Sequence, residues 1–413
     1  MNVSPSSPSI EPQPATDRPS RQPSARMAWP LFRAWRQGDR SSPTAPRARR
    51  QFVYALARTR RMKCHARRVL LWSLALYALA AVAMNVFMDR WCPISWEALY
   101  RLKWACLREM AAEKVDRPLV VALGSSRLDG AFQAGRLDGL PGPDGRSLAA
   151  YNFGIPAAGP MHEYEYLRDM LDEGIRPRLL LVEFLPPMLI QPHSHLISEE
   201  EWVKPEWMSV HQFRRLAPYL ARPGRKASEW LMARLAPWHV HRLALTNQLT
   251  AWLHPDSEQE PIPYPHDPWG CRCPQSLTAP QRAFRIAVAR EYSLSLSHFR
   301  LGEGPARAMR DLLAHCQRKD IPVVLILTPE SSEFRSWYSP ACRTATTKLL
   351  DELRKEYGVE VIDATCWLDD DDFFDGHHLD VSGGTKFTTR LLAKLQRSQR
   401  LATEKDQHQG GRE

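Results

Sequence analysis

An Asp three residues ahead of a His lets a carboxylate orient an imidazole and stabilise its charged form. Asp375 and His378 have that spacing within Phe374-Asp375-Gly376-His377-His378-Leu379, just before Ser382-Gly383-Gly384 and a short amphipathic stretch. Such a pair is the support a hydroxyl nucleophile needs. A candidate nucleophile lies about 250 residues earlier, in Val120-Val121-Ala122-Leu123-Gly124-Ser125-Ser126-Arg127. This reads as a buried strand ending in a tight turn that carries two serines. The chemistry predicted is Ser/His/Asp acyl transfer, with parts that must meet in space.

The elements that would bring them together show an α/β rhythm. Strands are expected near 119–123, 149–153, 179–184, 322–327 and 359–362, with helices near 161–173, 306–319, 343–357 and 385–399. The strands are continuous apolar runs, broken in the third only by Glu183, and this predicts a five-stranded parallel sheet covered on both faces. In such sheets functional groups collect at the carboxyl ends of strands. Four segments fall there: Gly124-Ser125-Ser126-Arg127, the run 152–160, Pro329-Glu330-Ser331-Ser332, and the Asp375/His378 loop. Residues 186–301 do not fit the rhythm; with Trp202, Trp207, Trp230, Trp238 and Trp252 they read as a mainly helical insertion.

The chain carries 56 Lys or Arg and 46 Asp or Glu, a net charge of +10. Residues 1–68 hold 15 of the basic and 3 of the acidic residues, so the remainder carries −2. A nucleic-acid-binding domain is expected to carry its basic patch on the fold itself, so no nucleic-acid partner is predicted. Residues 1–68 are expected to be a disordered basic cytoplasmic tail, and 401–413 a second disordered tail. Met27, Trp29, Leu31, Phe32 and Trp35 are aromatic or apolar islands in the first of these. Residues 69–88 contain no charge, and twenty helical residues span about 30 Å, the thickness of a bilayer core. A transmembrane helix is predicted there, with the lipid bilayer as partner. Arg58, Arg60, Arg61, Lys63, Arg67 and Arg68 precede it, whereas Asp89 and Arg90 follow it. The positive-inside rule places the N-terminus in the cytoplasm and residues 90–413 outside, on an inner membrane. Residues 89–115 would be a helical connector, and the globular domain would comprise 116–185 and 302–400.

Of eight cysteines, seven would be extracytoplasmic, where disulfides are permitted, and Cys92 with Cys106 is one possible staple. No CxxC pair occurs, so no zinc site is predicted. Asp369–Asp372 reads as a solvated acidic loop. His193-x-His195 and His239-x-His241 are isolated pairs of a kind that usually binds no metal. Arg335, Trp337 and Tyr338 lie beyond strand four, where they would either pack or touch a substrate.

A Gly-x-Ser turn after strand one, an Asn-x-Gly turn after strand two, and Asp-x-x-His near the end together resemble the SGNH (GDSL-type) hydrolase superfamily. The resemblance covers about 116–185 and 302–398. His378-Leu379 followed by Gly383, Gly384, Phe387 and Thr388 looks like its membrane-anchored branch, which acts on cell-envelope glycans. The resemblance implies Ser126 as nucleophile, His378 as general base and Asp375 as its carboxylate partner. His377 is an alternative base, one residue short of the family spacing. The Ser126 N–H would be one oxyanion donor, with Asn152, Gly154, Ala157, Gly159 and Arg127 around the oxyanion and substrate. The family's second-block Gly falls at Ala157. Where the family has Gly-x-Asn-Asp, the chain reads Glu183-Phe184-Leu185-Pro186-Pro187, so the side-chain oxyanion donor is missing or supplied elsewhere. The function implied is a serine acyl-esterase or O-acyltransferase acting on a surface glycan through an acyl-enzyme, without metal or organic cofactor. The alternative is a catalytically inactive glycan-binding or assembly protein on the same fold.

Overall fold

The computed structural model describes residues 45–91, 95–142, 144–193, 196–240, 242, 246, 266–272 and 279–398. Cys92, His195, His241, Trp252, the apolar islands at 27–35 and the tail at 401–413 lie outside them.

Helix α1 (Ala45–Trp91) contains one stretch, Met62–Phe87, long and apolar enough to cross a membrane. Residues 45–68 are therefore helical from Ala45 onward, not a disordered tail. Their Ala, Arg, Leu and Met residues are good helix formers and extend the apolar helix without a break. Helix α2 (Ser95–Glu113) is the expected connector and buries Leu99, Leu107 and Met110.

Strand β1 (Leu119–Gly124) leads into α3 (Ser126–Ala131), and β2 (Ala149–Gly154) into α4 (Pro160–Asp172). After β3 (Leu179–Glu183) comes the insertion, with α5 (Glu199–Trp202), α6 (Val210–Leu216), α7 (Pro223–Leu235), α8 (Pro237–Val240), α9 (Ala279–Ala289) and α10 (Glu291–Ser297). The rhythm resumes with α11 (Glu303–Arg318), β4 (Val323–Leu327), α12 (Ser332–Ser336), α13 (Pro340–Tyr357), β5 (Glu360–Asp363) and α14 (Val381–Arg397).

The five strands are all parallel, in the order β2-β1-β3-β4-β5. Successive side chains of a strand point to opposite faces, and the core divides accordingly. Val121, Leu123, Leu180, Val182 and Leu325 pack with α4, α11 and α13 through Leu167, Met309, Leu312 and Leu353. Val120, Ala122, Leu181, Val324 and Ile362 pack with α3 and α14 through Leu128, Phe387, Leu391 and Leu395. This makes three layers, with the sheet buried on both faces. Cys106, Cys271, Cys316 and Cys342 are free thiols.

Candidate active site

The two serines have different jobs, set by the helix that begins between them. Ser125 is the N-cap of α3: its Oγ accepts the Arg127 N–H at 3.1 Å, the usual service of a serine in that position. Its own N–H donates to Glu183 Oε2 at 2.6 Å. Ser126, the first helical residue, keeps its side chain free to face the opposite loop. Gly124 is required at the strand end, because a Cβ there would lie 2.8 Å from both Glu183 and Leu128.

β5 is an edge strand, separated from β1 by β3 and β4. The segment after it returns across the carboxyl edge, closed by an antiparallel bridge between Phe373 and Leu379. Gly376 turns this loop at φ +87°, a left-handed conformation that favours glycine. His378 Nε2 then lies 2.8 Å from Ser126 Oγ, and His378 Nδ1 lies 2.8 Å from Asp375 Oδ2. Asp375 Oδ1 accepts the His378 N–H at 2.8 Å and the His377 N–H at 3.2 Å, which fixes the carboxylate from its other side. The Phe374 ring lies nearly parallel to His378, with centroids 5.5 Å apart.

Burial pushes the Asp375 carboxyl up, but the neighbouring His378, then His377 and the backbone N–H, hold it well below the usual carboxylate range. Burial pushes His378 below its ordinary value; Asp375 opposes this, and Arg272 and Arg127 reinforce it. The imidazole is thus neutral at neutral pH, the form a general base needs. His377 is pushed further down, by burial and then by His378. Its ring lies against Phe334, 5.6 Å between centroids, and it lines the cavity beside Ser126. Asp375, His377 and His378 do offer ligand atoms within 4.8 Å of one another. Both His378 nitrogens are engaged, one by Ser126 and one by Asp375.

A cavity of about 20 Å³ opens beside Ser126, lined among others by Ala157, Leu185, Met188, Phe334 and His377. Ser126 and Ala157 both line it. Ser126 starts a helix, so its N–H has no intrahelical acceptor. Ala157 is the third residue of a turn closed by the Ala158 N–H to the Ile155 carbonyl at 3.0 Å, with Pro156 second and Ala157 at φ 60°. This is the geometry of a type II turn, which calls for glycine at that place.

The other four expected oxyanion and substrate residues are held within the fold by hydrogen bonds, and Arg127 also lines the cavity. The Gly154 N–H is taken by Asn152 Oδ1 at 2.9 Å, and its carbonyl by Lys103 Nζ at 2.6 Å. The Gly159 N–H donates to Glu199 Oε1 at 3.0 Å. Asn152 is fully buried and donates to the carbonyls of Leu128 and Phe132. The Arg127 guanidinium pairs with Glu330 at 3.0 Å and donates to the Pro329 carbonyl at 2.7 Å. Arg335, Trp337 and Tyr338 brace the same region: Tyr338 donates to Glu330 at 2.6 Å, Arg335 to the Thr365 carbonyl at 3.0 Å, and Trp337 packs on Phe334. The acidic loop is only partly solvated, since Asp372 is buried and accepts from Lys386 at 2.6 Å.

Two buried charged groups stand behind the site. Glu183 joins Ser125 to Thr328, whose Oγ1 donates to it at 2.7 Å, and so ties the Ser125–Ser126 turn to the end of β4. Beside it, burial and then Glu183 and Glu199 push the Glu163 carboxyl well up. The second group centres on Asp129, which accepts from Lys103 of α2 and lies 3.2 Å from His266 Nε2. Lys103 carries this link on to the carbonyl of Gly154. An acid inside an apolar strand was a visible signal for Glu183; nothing in the helix pattern marks Lys103.

A model of an uncharacterised family matches residues 282–399, which include β4, β5 and the Asp375/His378 loop but not Ser126. No curated protein matches the chain.

Proposed function

We propose that this chain is a membrane-anchored serine acyl-esterase or O-acyltransferase of SGNH type, acting on a cell-envelope glycan. The observation that carries the reading is the unbroken chain Asp375–His378–Ser126, with both links at 2.8 Å. Ser126 Oγ attacks an ester carbonyl while His378 Nε2 takes its proton. Asp375 holds the tautomer and steadies the imidazolium. The oxyanion is met by the N–H groups of Ser126 and Ala157. The intermediate collapses as His378 returns the proton to the leaving alkoxide, leaving an acyl-serine. Water or a sugar hydroxyl, deprotonated by His378, then releases the acyl group.

The pocket beside Ser126, lined by Ala157, Leu185, Met188 and Phe334, offers an apolar seat for a short acyl chain such as acetyl. The arginine-rich approach to the span favours a domain outside the cytoplasmic membrane. Protease added to intact spheroplasts then digests residues 90–413; full protection would reverse the orientation. The catalytic reading is tested by treating the full chain with a fluorophosphonate and mapping the adduct. Labelling of Ser126, lost in Ser126→Ala and His378→Ala, is expected. A folded chain that never labels and cleaves no acetyl ester would leave the fold as a glycan-binding module.

A further inference from the structure

We propose that the α7–α8 corner of the insertion is immersed in the membrane leaflet on the C-terminal side of the span, giving the domain a second hold on the bilayer. The proposal rests on the reading that Met62–Phe87 crosses a bilayer. Leu231, Met232 and Leu235 of α7 are 50%, 51% and 50% exposed. Positions i, i+1 and i+4 of a helix share one side, so these three form a single apolar patch. Isolated exposed apolar residues need no explanation, but this patch is continuous with the span. Tyr77 Oη donates to the Leu235 carbonyl at 2.8 Å, and Asn85 Nδ2 to the Arg234 carbonyl at 3.0 Å. Tyr77 also meets Trp238 of α8 edge-on at 4.9 Å, and Ala81, between the two contacts, is buried while Val82 and Val86 stay exposed.

Depth follows from helix geometry. Tyr77 lies ten residues before Phe87, about 15 Å along the axis at 1.5 Å per residue, and Asn85 only about 3 Å. Segment 234–238 therefore runs alongside the span from its end towards its middle. There the carbonyls at the end of α7 cannot turn to water, and each unsatisfied one would cost several kcal/mol in hydrocarbon. Two of them are met by polar side chains of the span itself, a service an aqueous helix end does not need. Arg234, the charged residue of this corner, is not left bare beside the span: it donates to the Met208 carbonyl at 3.1 Å and to Asn85 Oδ1 at 3.4 Å, and lies over Trp230 at 5.7 Å.

The test uses the unaltered full chain in phosphatidylcholine vesicles that contain a phospholipid with a diazirine in its acyl chain. After illumination, tryptic peptides are mapped. Cleavage at Lys226, Arg234 and Arg242 isolates the corner in two peptides. Labelling of these and of the span peptide is expected, at least about tenfold above that of α14 peptides containing exposed Val381, because the apolar reagent partitions with the hydrocarbon. A labelled span with an unlabelled corner would overturn the proposal alone. An unlabelled span would overturn the spanning reading and the proposal with it.

Discussion

Two adjacent serines differ in consequence because one caps a helix and the other begins it. Ser126→Ala is expected to abolish acetyl-ester turnover with little change in thermal stability. Ser125→Ala should retain turnover but lose about 1 kcal/mol from the missing cap, read as a lower denaturation midpoint. His378→Ala should match the Ser126 loss, since members of a catalytic unit are not additive. The pH profile follows from burial of the base. A His held below its ordinary 6.5 is neutral above its own pKa and protonated, hence inactive, below it. The acid limb of kcat/KM should therefore have its midpoint below 6.5, with a plateau by neutral pH; a midpoint above that value would contradict the assignment. Ala157 offers a cleaner separation of backbone from side chain. A left-handed alanine costs about 1–2 kcal/mol, and Ala157→Gly relieves it while preserving the N–H. Turnover should survive and the melting temperature should not fall. Loss of activity in that variant would mean that the methyl group, not the N–H, is what the site uses.

At the scale of elements, the site is held by charges behind it. Lys103 of α2 donates to Asp129 and to the carbonyl of Gly154, so the connector fastens the start of the turn that carries Ala157. Burial raises the Asp129 carboxyl, but Lys103, His266 and Arg272 outweigh that and hold it at about 2. A depressed carboxyl contributes stability above its unfolded value of 3.8, and that contribution is lost as pH falls towards 2. Lys103→Met removes the cation nearest Asp129 and leaves the buried carboxylate only His266 and Arg272, a loss approaching the ~3–5 kcal/mol of a broken buried pair. Lys103→Met with Asp129→Leu should recover much of it, read by urea titration; equal loss in the single and double variants would mean that packing, not charge, makes the joint. None of this was legible in the sequence, because a buried lysine looks like any helical lysine until its partner arrives from another element. What was legible is what local pattern dictates: five apolar strands, their parallel sense, and the loops that share its carboxyl edge. Helix starts were read late, α13 and α14 beginning at Pro340 and Val381 behind the caps Ser339 and Asp380. Capping residues sit outside the apolar period that gave the prediction. The turn of Pro156 and Ala157 was legible but its free N–H groups were not, since which of them stays free depends on Asn152 and Glu199, the latter from the insertion.

For the whole molecule, the insertion links the span to the site. Glu200 of α5 accepts the N–H groups of Ala221 and Arg222 ahead of α7, whose end meets the span. Glu199, its neighbour, accepts those of Gly159, Met161 and His162 after the turn of Pro156 and Ala157. A continuous path of paired groups thus runs from the apolar helix to the carboxyl edge of the sheet. Charge is distributed quite differently. The +12 of residues 1–68 lies ahead of most of the span, while the rest of the chain carries −2. Electrostatic attraction to a polyanion scales with the phosphates neutralised and weakens steeply with salt. Such attraction should therefore belong to the N-terminal segment alone. A chain reduced to residues 90–413, which retains Lys103 and every site residue, is expected to show no micromolar, salt-dependent binding to duplex DNA, whereas the full chain in detergent should bind and release it as salt rises. Salt-sensitive binding by the shortened chain would show that the fold itself presents a basic surface, against the balance of its charges.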